Sequence, residues 1–167
     1  SLWSIKHALN TEKLGHTGTL DSFAEGLLVV LSGSLTHLVP HITGFTKTYQ
    51  AVVRFGKETD TLDPTGSVIS EGISPSKDDV LNVLPDFTGA ILQVPPVYSA
   101  LHVDGKRASD MIREGEKVNL ESRQVFIYKI DLLDFKSPCE NDSSSYALLE
   151  ITCSKGTYIR ALARDIA

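Results

Sequence analysis

A chain of 167 residues has the length of one domain, and 41% apolar with 22% charged residues is typical of a globular protein that buries its own core. The formal net charge of -5 argues against a generic nucleic-acid binder, so any surface for such a partner must be local. No apolar run approaches the roughly 20 residues of a membrane span. Cys139 and Cys153, the two cysteines, lack metal-site or redox spacing, so we expect reduced thiols in a cytoplasmic protein without membrane contact.

The first predicted elements are a helix, a loop and a strand. Leu2, Ile5 and Leu9 have helical spacing. Residues 14–22 (LGHTGTLDS) contain two glycines and several hydroxyl side chains, which indicates a loop. The apolar run at residues 27–31 (LLVVL) is short enough for a buried strand.

The middle of the chain alternates between extended and helical patterns. Residues 49–55 alternate in polarity and predict a strand with unequal faces. The sequence Asp-Pro-Thr-Gly at residues 63–66 is a turn signal. Ser74 and Pro75, followed by acidic Asp78 and Asp79, predict the start of a helix, because carboxylates favour the positive end of the helix dipole.

The last third holds a long polar insertion followed by strands and a helix. Residues 94–123 have weak periodicity, and excursions of this kind in compact domains are usually functional or disordered. Residues 125–135 and 146–153 predict strands, and residues 159–166 predict an amphipathic helix. We therefore expect a mixed α/β (α+β) fold with a largely antiparallel sheet flanked by helices. The chain begins without methionine and ends inside the predicted helix, so we expect it to be part of a longer polypeptide.

The most informative stretch for chemistry is GHTGTLD, from Gly15 to Asp21. Glycine lets a backbone approach a ligand closely, and here two glycines flank His16 and precede a carboxylate. By itself the stretch allows two interpretations. It could be a phosphate-binding turn, although it lacks the lysine of a P-loop, or a plain turn in which Asp21 caps a helix. His37, His41 and His102 show no ligand spacing with cysteine or carboxylate, so the sequence predicts no metal site.

Four motifs occur in order along the chain: GHTGTLDSFAEGLL, KTY, VPPVYSAL and CSKGTYIRALARDIA. Together they resemble the TruB family of bacterial tRNA pseudouridine synthases, over nearly all of residues 1–167. The stretch VYSALHVDGKRA is more similar to the free-standing bacterial enzymes than to relatives guided by box H/ACA RNA. The resemblance implies one catalytic domain of the pseudouridine synthase fold, incomplete at both ends. It implies isomerisation of a T-loop uridine (uridine 55) of tRNA, without cofactor or metal, by a monomer.

The resemblance also implies roles for individual residues. Asp21 matches the nucleophilic aspartate, Tyr49 the active-site tyrosine, and Arg160 the arginine that pairs with the aspartate. His16 matches a histidine that sits under the flipped bases, although a general acid/base role and a plain loop histidine remain alternatives. Tyr158 belongs to the same motif as Arg160.

Further substrate contacts follow from the same resemblance. Lys155 lies in the last of the four motifs, and the insertion at residues 94–123 corresponds to a thumb that grips the T loop through Lys106 and Arg107. A solvated surface loop is the alternative for this insertion, because acidic residues dilute its charge. Ser22 stands where the family usually has proline, directly after the expected nucleophile.

The expected chemistry fits an acid paired with a guanidinium. A carboxylate can act as a covalent catalyst, but burial of a carboxylate alone favours its neutral form. An adjacent guanidinium keeps it ionised and holds it in a bidentate geometry. Two alternatives stay open: a tRNA-binding or folding-assistance module with little catalysis, and a glycoside hydrolase that uses Asp21 with Glu25.

Overall fold

The computed structural model describes residues 2–103 and 105–167. The chain divides into two compact units, Ser1–Phe45 and Thr46–Ala167. No helix among the described residues is long and apolar enough to cross a bilayer.

The first unit contains short elements only. They are α1 (Leu2–Ala8), β1 (Leu14–His16), β2 (Val30–Ser32), a 3-10 helix (Gly33–Leu38) and α2 (Val39–Thr43). Strands β1 and β2 pair antiparallel. A Cβ atom on Gly15 would lie 2.7 Å from a methyl group of Val39, so the helical segment packs directly against this backbone.

One sequence prediction for this unit is confirmed and another is wrong. The helix expected from the spacing of Leu2, Ile5 and Leu9 forms. The buried strand expected at residues 27–31 does not: pairing begins only at Val30, and Leu27 is 91% exposed. An apolar run becomes a buried strand only if a partner sheet covers both of its faces, and β1 offers three residues on one edge.

The described residues of the second unit form eight strands, three α-helices and a 3-10 helix (Leu84–Phe87). The strands are β3 (Lys47–Arg54), β4 (Lys57–Thr59), β5 (Val68–Glu71), β6 (Gly89–Gln93), β7 (His102–Val103), β8 (Lys106–Arg107), β9 (Arg123–Lys136) and β10 (Tyr146–Cys153). The helices are α3 (Lys77–Val83), α4 (Ala108–Arg113) and α5 (Ile159–Ile166). Strands β3, β10, β9 and β6 form an antiparallel sheet in that order, and β4–β5 and β7–β8 are hairpins.

The hydrophobic core lies on one face of the four-stranded sheet. Burial alternates along β10, where Ala147, Leu149, Ile151 and Cys153 point inward. Helix α5 covers this face with residues that include Leu162. All the buried hydrophobic side chains of the described residues belong to the second unit. The predicted strands at 49–55, 125–135 and 146–153 are confirmed, because their alternation matches one buried and one exposed face.

The predicted helix forms as α3, but it begins at Lys77, so Pro75 precedes the helix and does not lie in its first turn. Ser76 is the N-cap: its hydroxyl accepts the backbone N–H of Asp79, whose carboxylate in turn accepts the N–H of Ser76 at 3.0 Å. This reciprocal pair is a capping box.

The strand order and the helices confirm the expected fold class, helices on a largely antiparallel sheet.

The polar insertion at residues 94–123 is partly ordered into elements of its own. It contains β7, β8 and α4, and Ala108 and Leu120 are buried within the second unit. Its sequence has weak periodicity because these elements are only two to six residues long.

Candidate active site

The predicted site residues are divided between the two units. His16 and Asp21 belong to the first unit. The second unit carries the other candidates: Tyr49, Lys106, Arg107, Lys155, Tyr158 and Arg160.

In the first unit, the loop after β1 is fixed by backbone hydrogen bonds. The N–H of Thr17 donates to the carbonyl of Val29 at 3.1 Å. The Nδ1 atom of His16 lies in hydrogen-bonding contact with the carbonyl of Gly18. A carbonyl accepts only, so Nδ1 carries a proton and donates it to this contact.

Asp21 lies in a turn and is exposed within the described structure. Its carbonyl accepts the N–H of Ala24 at 3.0 Å. Residues 22–29 are all described and contain no helix, so the interpretation of Asp21 as a helix N-cap is wrong. The second glycine of GHTGTLD, Gly18, has open space around it, which is compatible with close approach of another molecule.

In the second unit, Arg160 is held from three directions. It lies in the first turn of α5 and is 8% exposed. Its guanidinium donates to the carbonyl of Thr61 at 2.6 Å and to the carbonyl of Tyr98 at 3.0 Å. It also lies 3.6 Å from Oδ2 of Asp63, with both side chains about nine-tenths buried. The guanidinium orientation is therefore fixed by two separate segments of the unit, the turn that carries Thr61 and Asp63 and the stretch that carries Tyr98.

Asp63 is a member of this cluster that the sequence did not reveal. Its Oδ1 accepts hydrogen bonds from the Thr61 hydroxyl at 2.8 Å and from the hydroxyl and N–H of Thr65 at 2.5 and 2.9 Å. Burial alone would raise the pKa of the Asp63 carboxyl, but the hydrogen bonds from Thr65 and Thr61 and the charge of Arg160 outweigh it and lower the pKa. Asp63 is therefore ionised at neutral pH.

The turn that carries Asp63 has little conformational freedom. A Cβ atom on Gly66 would collide with the Thr61 hydroxyl and the Asp60 carboxylate. Leu62 has φ +58, a conformation that non-glycine residues rarely adopt. The sequence predicted a turn at residues 63–66. The hydroxyl residues on both sides of Asp63 are the signal for a structured carboxylate, because Thr side chains readily bond a nearby acid.

Gln93 is a second residue that the sequence did not reveal. It ends β6 and is 0% exposed. Its Nε2 donates to the Tyr158 carbonyl at 3.1 Å, and its Oε1 accepts the Tyr158 N–H at 2.8 Å. Tyr158 is the N-cap of α5, two residues before Arg160. No local pattern signals this contact, since 65 residues separate its partners.

Tyr49 lies on the inner face of β3 and packs against the core. Burial, and secondarily the neighbouring Cys153, raises the pKa of the Tyr49 phenol above its usual 10.0. The phenol therefore keeps its proton at neutral pH. It is available as a hydrogen-bond donor and not as an anion.

The other residues of the last motif surround the start of α5. The Tyr158 ring lies beneath the Arg123 guanidinium, whose central carbon is 4.8 Å from the ring centroid. Arg123 also donates to the carbonyl of Gly156, where φ is +81. Lys155 is exposed. The Tyr158 ring is thus half-buried against Arg123, and the Lys155 ammonium is accessible.

The basic residues of the insertion are partly compensated by acids. Lys106 Nζ lies 3.0 Å from a carboxylate oxygen of Glu116 and 3.6 Å from one of Glu114. The hydrogen bond to Glu116, then the charges of both glutamates, raises the pKa of Lys106. Arg107 is exposed at the end of β8. Among residues 2–103 and 105–167, no group of three or more His, Cys, Asp or Glu side chains could hold a metal ion.

Comparison with solved structures identifies the fold first. A chain in the crystal structure of a Cbf5-Nop10-Gar1 complex has a TM-score of 0.66 and 27% identity, with 99% of this chain and 38% of that chain covered. A chain in the structure of an H/ACA RNP bound to a substrate RNA containing 2'-deoxyuridine has a TM-score of 0.64 and 25% identity, with 99% and 36% covered. The chain thus has the pseudouridine synthase fold expected from the sequence motifs.

Comparison with sequences identifies the family. The family model described as "TruB family pseudouridylate synthase (N terminal domain)" matches residues 6–159. The chain belongs to this family.

Similar bacterial proteins carry one name. "tRNA pseudouridine synthase B" of Treponema denticola is 47% identical over 180 residues, covering 100% of this chain and 50% of that protein. The protein of that name from Borreliella burgdorferi is 45% identical over 168 residues, covering 100% and 58%. The predicted resemblance to the bacterial members is confirmed, and the chain spans about half the length of these relatives.

Proposed function

We propose that the polypeptide containing this chain isomerises a uridine of tRNA to pseudouridine, and that its target is uridine 55 of the T loop. Membership of the family and the names of its relatives support the reaction and the tRNA substrate. The observation that carries the proposal is the Arg160 cluster, in which two carbonyls and an ionised Asp63 fix a buried guanidinium. A guanidinium held in this way is suited to orient a second, catalytic carboxylate.

In this proposal Asp21 is the nucleophile and Arg160 is its partner in the active state. The bond between C1′ of the ribose and N1 of the base breaks, and C1′ forms a new bond to C5. C5 then loses its hydrogen as a proton, N1 gains a proton, and any bond that the carboxylate formed is broken again. The reaction therefore involves no redox change. It requires an ionised carboxylate in a pocket with little water. The guanidinium keeps that carboxylate ionised when RNA covers it.

Two aromatic side chains complete the proposed site. Tyr49 offers a ring face to the target base and a protonated phenol as hydrogen-bond donor. His16 occupies the space left when bases are extruded, which offsets part of the few kcal/mol that unstacking costs. Both roles follow from the family motif and from side chains held by their own unit.

The proposed RNA interface outside the pocket comprises Lys155, Tyr158, Lys106 and Arg107. Contacts from the exposed cations to phosphates position the RNA without reading its sequence. We further propose a cytoplasmic monomer that needs neither cofactor nor metal.

The test measures the release of tritium from tRNA that carries 5-tritiated uridine. The enzyme in the assay is the full-length protein that contains this sequence. Asp21→Ala should abolish release and leave tRNA binding within about twofold, because the carboxylate acts in the chemical step. Glu25→Gln is the matched control, an exposed acid in the same loop, and should keep full release. If Asp21→Ala retains activity, the nucleophile is another group. If the wild type binds tRNA but releases no tritium, the polypeptide is a binding module. Free uracil among the products would indicate a glycosidase.

A further inference from the structure

We propose that Gln93 is a positioning residue for Arg160, acting through the backbone of Tyr158; the catalytic half of this proposal rests on the function proposed above. The Gln93 amide connects the end of strand β6 to the start of helix α5, which carries the arginine.

The contact fixes the helix start at two points. One amide group donates to the Tyr158 carbonyl and accepts from the Tyr158 N–H, as a neighbouring strand would do with its backbone. Two parallel hydrogen bonds set both the distance and the rotation of the Tyr158 peptide groups. Arg160 follows two residues later, so a rotation at Tyr158 displaces its guanidinium from the carbonyls of Thr61 and Tyr98.

The neighbouring sequence shows why a side chain makes this contact. Val94, Pro95 and Pro96 follow Gln93, and proline has no N–H with which to continue a strand ladder. The backbone of β6 therefore ends at Gln93, and the side chain extends its pairing by one residue toward α5. Farther along the helix, the Arg164 guanidinium donates to the Val94 carbonyl at 3.0 Å, which ties α5 to the same segment a second time.

The choice of glutamine at this position also has an energetic meaning. Gln93 follows Ile91 on the inward-facing row of β6, where an apolar side chain would pack without desolvating an amide. A buried polar group is tolerated only when its hydrogen bonds are made, and it then specifies one arrangement of its partners. The arrangement specified here is the position of the first turn of α5.

The test compares two substitutions of Gln93 with a control. Gln93→Met keeps the length of the side chain and removes both hydrogen bonds, whereas Gln93→Glu keeps the acceptor. Ser145→Ala is the control, because it removes a buried hydrogen bond to the Pro75 carbonyl at the far end of β10. In single-turnover assays of the full polypeptide with tRNA, Gln93→Met should slow isomerisation by about 10- to 100-fold, the scale expected for a misplaced group. Gln93→Glu should fall between Gln93→Met and the wild type. The dissociation constant of tRNA should change by less than about twofold.

A double-mutant cycle separates positioning from general stability. If Gln93 acts through Arg160, adding Gln93→Met to an Arg160→Ala protein should slow the reaction no further. Additive rate losses, or an equal rate loss in Ser145→Ala, would overturn the proposal.

Hydrogen–deuterium exchange tests the anchor without any assay of activity. In Gln93→Met, the amides of residues 158–162 should exchange at least about tenfold faster, because the Tyr158 N–H loses its acceptor. Unchanged exchange there overturns the proposal whether or not the wild type makes pseudouridine. A wild type without isomerisation refutes the proposed function, and the exchange result still decides the anchor.

Discussion

Arg160 is a buried cation, and its neighbours compensate for the free-energy cost of burying its charge. Removal of a guanidinium from water costs several kcal/mol unless hydrogen bonds and an opposite charge replace the solvent. Here the carbonyls of Thr61 and Tyr98 and the carboxylate of Asp63 provide that replacement. The carboxylate is itself saturated on Oδ1 by Thr61 and Thr65, so Oδ2 faces the arginine. The cluster is a network in which the loss of one member leaves the others unsatisfied.

Asp63→Asn should lower the free energy of unfolding by about 3 kcal/mol, the lower end of the range for a broken buried ion pair. The amide oxygen of the substituted side chain can still accept hydrogen bonds from Thr65. In that orientation the amide nitrogen points an N–H donor at the Arg160 guanidinium. Urea unfolding measures the effect, with Asp86→Asn as a control at an exposed carboxylate. A difference of less than about 0.5 kcal/mol between the two variants would contradict the buried pair.

The stability of the protein should also depend on pH through Asp63. Its pKa is lower in the folded protein than the usual 3.8, so the unfolded chain takes up a proton first as the pH falls. The stabilisation is fully present above the unfolded pKa and is lost as the pH falls through the folded pKa. We expect the free energy of unfolding to decline below about pH 4, and Asp63→Asn to decline less steeply. Equal slopes in the two proteins would exclude this carboxylate as a source.

Arg160→Ala should reduce turnover much more than RNA binding, because the proposed mechanism assigns Arg160 as the partner of the nucleophilic carboxylate. We expect a loss of about 100-fold or more in the single-turnover rate, in the range seen when a preorganised electrostatic group is removed. The tRNA dissociation constant, measured in parallel by filter binding, should stay within about threefold. Equal losses in rate and affinity would place Arg160 in the RNA interface.

At the scale of elements, the turn between β4 and β5 determines the position of Asp63. Gly66 has no room for a Cβ atom beside Thr61 and Asp60. Gly66→Ala should therefore displace the turn and weaken both the ion pair and the Thr61 carbonyl contact. Gly72, at the end of the same hairpin, has open space and offers a matched control. We expect Gly66→Ala to lower the melting temperature by several degrees, and Gly72→Ala to leave it nearly unchanged. Similar shifts for both would indicate a general effect of alanine.

The sequence predicted elements wherever local pattern and tertiary surroundings agree. The strands of the second unit alternate because one face meets the core, and the capping box of α3 acts within four residues. The prediction of a buried strand at LLVVL was wrong because the local sequence does not indicate whether a sheet covers this run. Arg160 was found through a long motif. The pairing of Asp63 with Arg160 and that of Gln93 with Tyr158 were missed because the partners are, respectively, 97 and 65 residues apart and meet only through the fold.

At the scale of the whole molecule, the two units differ in how they are stabilised. Within the part of the chain that the structure describes, the second unit contains the buried hydrophobic residues, whereas the helices and strands of the first have none that are fully buried. Burial of apolar surface is the main source of protection against local opening. Amides in residues 2–45 should therefore exchange much faster than those of β9 and β10. Comparable protection in both units would contradict this difference.

A melting curve of this protein will consequently report on only part of it. The transition follows the loss of the apolar interior, and the loop with the proposed nucleophile contributes almost nothing to that interior. A variant damaged in GHTGTLD would give a normal transition temperature and pass a thermal screen as intact. Quality control for this chain therefore needs a probe of the loop itself, such as the exchange of its amides.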